Sequence, residues 1–153
     1  MRILLSTHVV DGIVGVTAFQ GSDSGGLSVC RYRDGDDAIT ELALAVSNIV
    51  TLARARGENI TADWAGVAIA DVKTIRSIQT PEGGTNAYCV YDTARPANSL
   101  HAEVMMRVTI VREKRRSAVR QELRKAFGPT LVTKEELLGG RVLAAYLALH
   151  SNT

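Results

Sequence analysis

The apolar residues Ile39, Leu42, Ala43, Val46, Ile49, Val50 and Ala53 recur every three or four positions. That spacing lays them along one stripe of an α-helix. Asp34-Gly-Asp-Asp37 supplies an N-cap and negative charge before the stripe, while Arg54 and Arg56 fall in its last turn and Gly57 follows. The pattern predicts an amphipathic helix from about Asp36 to Arg56. Its apolar stripe needs a covering layer, and most of the surrounding chain reads as strands.

Val9 to Ala18 is apolar with small residues and reads as a strand, followed by a flexible loop, Gly21-Ser-Asp-Ser-Gly-Gly26. Leu27 to Arg33 alternates, with Leu27, Val29, Arg31 and Arg33 on one side and Ser28, Cys30 and Tyr32 on the other, and predicts a short strand. Trp64 to Ala70 reads as a buried strand, and Asp71 to Ile78 fits either a helical turn or a strand. Pro81 to Asn86 is a turn and Ala87 to Tyr91 a strand by β-propensity. Arg95 to Ser99 is a loop, because Pro96 disfavours helix at the residue before it. His101 to Val111 looks extended. A strongly basic helix follows from about Arg112 to Phe127, with Val119, Leu123, Ala126 and Phe127 as its apolar stripe. Gly128-Pro129 ends it, and Thr133-Lys-Glu-Glu136 is a capping box for another helix. Gly139-Gly140 interrupts that one before the apolar stretch Val142–Leu149.

These elements predict a single α+β domain. A mixed or antiparallel sheet packs on one long amphipathic helix, with a C-terminal helical segment. Residues 1–111 make the sheet-plus-helix core, and residues 112–153 carry the basic helix and the C-terminal helix. With 153 residues the chain is long enough to bury a core of its own. Only 5% of it is aromatic, so that core rests on Val, Ile, Leu and Ala, and single-strand stacking platforms are disfavoured. Met1-Arg-Ile-Leu-Leu5 begins like a signal peptide. Ser6, Thr7, His8 and Asp11 stop the apolar run too early for one, and no stretch is long enough to span a bilayer. Two cysteines, Cys30 and Cys89, make no disulfide framework, and a reduced cytoplasmic protein is the simplest expectation.

Charge is unevenly placed. Through Met106, 8 Lys and Arg face 12 Asp and Glu, a balance of −4; from Arg107 onward 10 face 4, a balance of +6. Lys114, Arg115, Arg116, Arg120, Arg124 and Lys125 spread around the basic helix and could track phosphates or meet an acidic partner. A solvated helix docked by one stripe would carry the same pattern. No helix-turn-helix pattern follows, so reading of DNA sequence is not indicated.

For chemistry, Asp92, His101 and Glu103 flank the loop Thr93 to Leu100. On a strand, His101 and Glu103 share a face, where an imidazole and a carboxylate can exchange a proton. Arg31, Arg33, Tyr32 and Tyr91 could give polar tips to a nucleotide pocket. An ADP-ribosyltransferase-like scheme would combine Leu27-Ser-Val-Cys-Arg31 with His101-Ala-Glu103. Cys30, Cys89, His8 and His101 lack the spacing of a zinc site, and no metal or other cofactor is expected. Asp23-Ser-Gly-Gly26 is similar to the loop around the nucleophile of chymotrypsin-like proteases. Those place a His and an Asp well upstream of the serine; here only His8 precedes Ser24. Nor is the loop a P-loop, since no Gly-Lys-Ser/Thr follows.

Gly26-Leu-Ser-Val29, Tyr88-Cys-Val-Tyr-Asp92 and Pro96-Ala-Asn-Ser-Leu-His-Ala-Glu-Val104 together resemble a pattern in small bacterial proteins. Those carry Gly-Leu-Ser-Val and then Asn-Pro-x-His-Ala-x-Val/Ile. The resemblance covers about residues 19 to 104, and Asn98-Ser99 stands where the pattern has Asn-Pro. It implies no particular activity but draws attention to Ser28, His101 and Glu103.

Two functions follow as expectations. One is a non-enzymatic binding or assembly component of a bacterial system, acting through the basic helix on a protein partner, a second copy or a nucleic acid, away from membranes. The other is a small enzyme, hydrolase-like or ADP-ribosyltransferase-like, acting on a nucleotide or nucleic acid through His101 and Glu103, with Arg31 and Asp92 in the site.

Overall fold

A computed structural model describes residues 1–23, 25–31, 55–57, 64–94, 100–107, 110, 112–128, 131–133 and 136. The helix expected over Asp36–Arg56 falls almost wholly outside the described residues, as do the Arg95–Ser99 loop and the apolar stretch Val142–Leu149. The fold is α+β with antiparallel sheets. Strands β1 (Arg2–Leu5), β5 (Trp64–Ala68) and β8 (Leu131–Thr133) form one sheet in the order β1-β5-β8. Strands β4 (Leu27–Cys30), β7 (His101–Met106) and β6 (Tyr88–Asp92) form a second in the order β4-β7-β6. The Met1 amine donates to the Cys30 carbonyl, and the Cys30 N–H donates to the Met1 carbonyl, each at 2.8 Å. This exchange ties the start of β1 to the end of β4.

The stretch Val9 to Ala18 is not one strand. Two short strands, β2 (Val9–Val10) and β3 (Ile13–Val14), pair around Asp11-Gly12. Both turn residues have positive φ, 51° and 73°. Two-residue hairpins favour that geometry because its twist matches the strands, and Asp-Gly is among its strongest sequence signals. A 3-10 helix over Val16–Asp23 follows, so the first part of the expected flexible loop is ordered helix. Ala18 and Phe19 are fully buried and anchor it. The opening residues form strand β1, a use that their likeness to a signal peptide did not suggest.

Two α-helices are described. Helix α1 (Val72–Ser77) resolves the ambiguous segment as helix: the Asp71 carboxylate accepts from the N–H groups of Lys73 at 2.7 Å and Thr74 at 3.3 Å. Such a cap satisfies donors that a helix start leaves open. Helix α2 (Glu113–Phe127) is the basic helix, within a residue of its expected start. Val119, Leu123 and Phe127 are buried at four-residue spacing and face the core. Phe127 packs on Phe19 with ring centroids 5.3 Å apart. One core cluster joins Leu4 and Ala68, the inner face of the β4-β7-β6 sheet, and α2.

Candidate active site

Alternation along β7 sorts its residues cleanly. Ala102, Val104 and Met106 are buried, while His101, Glu103 and Met105 lie partly open on the other face. Register then brings neighbours to that outer face. Ser28 on β4 and Tyr91 on β6 both pair with Glu103, giving a row Ser28–Glu103–Tyr91 across three strands. His101, two residues before Glu103, is diagonal to Ser28, within reach of a long side chain.

Ser28 Oγ and His101 Nε2 are 2.8 Å apart. The other ring nitrogen, Nδ1, is 2.7 Å from Thr93 Oγ1 and 3.3 Å from the Thr93 carbonyl oxygen. That carbonyl can only accept, so it favours the tautomer with the proton on Nδ1. Nε2 is then free to accept from the Ser28 hydroxyl. A hydroxyl, a base and a group that fixes the base therefore stand in sequence, which is the general geometry of an activated nucleophile. The Arg2 guanidinium donates to the Ser28 carbonyl at 2.9 Å and braces this part of β4 from β1.

Glu103 is held close to the backbone before β4. Gly26 has φ +86°, and a Cβ placed there would lie 3.3 Å from the Glu103 carboxyl carbon, from its Oε2 and from Met105 Cγ. Glycine is required on both counts: the conformation is left-handed, and a side chain passes over it. At the far end of the row, hydrogen bonding with the Cys89 thiol raises the Tyr91 hydroxyl pKa, and the nearby Arg107 charge opposes that shift.

Arg31 and Asp92 belong elsewhere. They bond to each other at 2.6 Å. Asp92 pairs with Ala102, whose side chain lies on the inner face, and Arg31 lines a cavity there with Val29 and Ala102. The expected set of four thus divides: His101 and Glu103 share the outer face with Ser28, and Arg31 and Asp92 form a separate pair at the sheet's inner edge. Thr93 and Ser28 complete the outer site. Nothing in residue spacing marked Thr93; Ser28 carried only the motif signal.

The cations of the basic helix divide between the fold and its surface: Lys114, Arg115 and Lys125 are exposed, Arg116 and Arg124 half-buried and Arg120 buried. Arg115 pairs with Glu82, Arg120 with Glu113, and Lys125 with Glu122. Arg116 Nε donates to the Ile110 carbonyl at 3.0 Å, and Arg124 Nε to the Val14 carbonyl at 2.6 Å. Arg120 is only 8% exposed. Lys114 is exposed. His8 serves locally, its Nδ1 accepting from the Leu5 N–H at 3.1 Å. Neither Cys30 nor Cys89 is in a disulfide. Among the described residues no group of three or more His, Cys, Asp or Glu is placed to hold a metal ion, and no helix is long and apolar enough to cross a membrane.

No protein-family model, curated protein or solved structure matches this chain.

Proposed function

We propose that the chain is a small hydrolase-like enzyme acting on a nucleotide or nucleic acid, with Ser28 as nucleophile and His101 as general base. The observation that carries this reading is the Ser28 Oγ–His101 Nε2 contact of 2.8 Å, with Nδ1 fixed by Thr93. As Ser28 Oγ attacks an electrophilic phosphorus or carbonyl carbon, its proton passes to Nε2. The leaving group takes that proton as its bond breaks. Water then attacks the Ser28 ester, His101 accepts the water proton, and the serine hydroxyl is restored. Glu103 adds negative charge to the same face two residues along β7, with its carboxylate over Gly26. Arg107, close enough to act on Tyr91, supplies a cation at the edge of the face for a phosphate-bearing substrate.

The test is turnover of a p-nitrophenyl ester and of bis(p-nitrophenyl) phosphate by the full chain. Ser28→Ala and His101→Gln should each lower the rate by about 100-fold or more, the usual scale for a positioned base. Their circular dichroism should stay that of the parent. Unchanged rates in both folded variants would remove the proposal.

Less supports the second reading, a binding component acting through α2. Arg116, Arg120 and Arg124 are engaged within the fold, while Arg115 and Lys125 sit in exposed ion pairs. The exposed Lys114, Arg115 and Lys125 and the positive balance after Met106 are what favour it. A salt titration of nucleic-acid binding tests it, since phosphate contacts demand a steep loss of affinity as salt rises.

A further inference from the structure

The Ser28–Glu103–Tyr91 row holds three different chemistries in a fixed order. Paired residues on neighbouring strands lie about 5 Å apart on one face, so Tyr91 stands about 10 Å from Ser28 with Glu103 between them. Tyr91 is 49% exposed, whereas Phe19, Tyr88 and Phe127 are buried in the core. Its hydroxyl is engaged with the Cys89 thiol, two residues back on the same face, which lays the ring along β6. An exposed ring held in place is a surface on which a planar group stacks. The Glu103 carboxylate passes over Gly26, and its oxygens only accept hydrogen bonds. What it meets on a ligand must therefore donate. A run of phosphates along the row would instead be repelled. Exposed Arg107, whose charge reaches Tyr91, stands at the far end of the row, where a guanidinium meets the acceptor atoms of a base edge.

We infer that the site takes a single ribonucleoside 5′-phosphodiester rather than a nucleic-acid strand, with phosphorus at Ser28, the ribose 2′- and 3′-hydroxyls on Glu103 and the base on Tyr91. A 5′-nucleotide presents phosphorus, diol and base in the same order as the row. The inference rests on the hydrolase-like reading of Ser28 and His101. Ser28 Oγ bonds to phosphorus as the bond from phosphorus to the second alcohol breaks. The proton lost by Oγ passes through Nε2 to that alcohol, and water then releases the nucleoside 5′-monophosphate from the serine. Glu103 selects the sugar, and Tyr91 holds the base.

The experiment is a ¹H–¹⁵N NMR titration of the full chain with guanosine 5′-monophosphate, a product of that reaction, and with its 2′,3′-dideoxy counterpart. Saturable shifts are expected at Ser28, Glu103 and Tyr91. The dideoxy compound should bind at least about tenfold more weakly, because its hydroxyl–carboxylate bonds are lost. Glu103→Ala should bring the two affinities within about twofold of each other; should that variant fail to fold, Glu103→Gln, which keeps the side-chain shape, should narrow the gap. Tyr91→Leu should weaken guanosine 5′-monophosphate at least about fivefold, and Tyr91→Phe should retain binding. No saturable shift at millimolar nucleotide, equal affinities for the two compounds in the parent chain, an undiminished preference in folded Glu103→Ala, or tighter binding of a single-stranded RNA hexamer would each overturn the inference. Turnover of the p-nitrophenyl ester, measured alongside, separates the two failures. Turnover lost in Ser28→Ala while the sugar makes no difference to binding sinks this specificity alone. Discrimination of the sugar without any turnover supports the specificity and sinks the reaction.

Discussion

Gly26→Ala should damage this protein more than an alanine at any glycine facing open space, and the reason can be worked out from two terms. The first is conformational. At φ +86° an alanine adopts the left-handed region, which costs about 1–2 kcal/mol. The second is steric. The new methyl would lie 3.3 Å from the Glu103 carboxyl and from Met105 Cγ, so those side chains must shift. Crowding of this kind adds about 1 kcal/mol or more. Gly12 is the control, with φ +73° and nothing within 4 Å of an added Cβ. Urea unfolding should therefore show Gly12→Ala losing about 1–2 kcal/mol and Gly26→Ala about 2–3 kcal/mol. Glu103→Ala combined with Gly26→Ala should recover part of the difference, leaving a coupling energy of about 0.5–1 kcal/mol. Equal losses for the two glycines, or no coupling to Glu103, would refute the placement of the carboxylate over Gly26.

Other outcomes follow from the same structure. Phe127→Ala removes a fully buried ring packed on Phe19 and should cost about 3–5 kcal/mol in chemical denaturation. Arg2 is a half-buried cation whose pKa desolvation lowers, and among the described residues its buried Nε has no hydrogen-bond partner. Replacing it with the similarly shaped Met should hold or raise the unfolding free energy in urea, whereas a fall of more than about 1 kcal/mol would show that its bond to the Ser28 carbonyl outweighs the desolvation. The Met1 amine, driven down to about 6 by burial, makes folding pH-dependent. The unfolded chain holds that proton up to about pH 8, so stability should increase between pH 6 and pH 8, by on the order of 2 kcal/mol. A flat profile over that window, measured by urea midpoints, would contradict the burial of the amine.

The strands were legible because alternation is a local property. Leu27 to Cys30 and His101 to Met106 each declare which residues share a face, and that put His101 beside Glu103 before any pairing was known. Pairing itself is not local. Ser28 and His101 meet across 73 residues of sequence, and only register can set them diagonal to one another. Asp92 illustrates the converse error. Its nearness in sequence to His101 suggested a shared site, yet its neighbour Tyr91 takes the outer face, so Asp92 falls on the inner one. One cation of the basic helix departs from expectation for a similar reason. Arg120 looked like one more solvated cation, but it sits between Val119 and Leu123 on the docked stripe and is buried with them. The Asp11-Gly12 hairpin was written plainly in two residues and lost inside a longer apolar run.

In the proposed hydrolase-like reading His101 makes Ser28 nucleophilic, and covalent labelling with a fluorophosphonate reads this directly. Mass spectrometry of the intact chain should find one adduct, mapped to Ser28, absent in Ser28→Ala and slowed about 100-fold or more in His101→Gln. An unlabelled parent chain, or labelling that His101→Gln leaves at full rate, would contradict it.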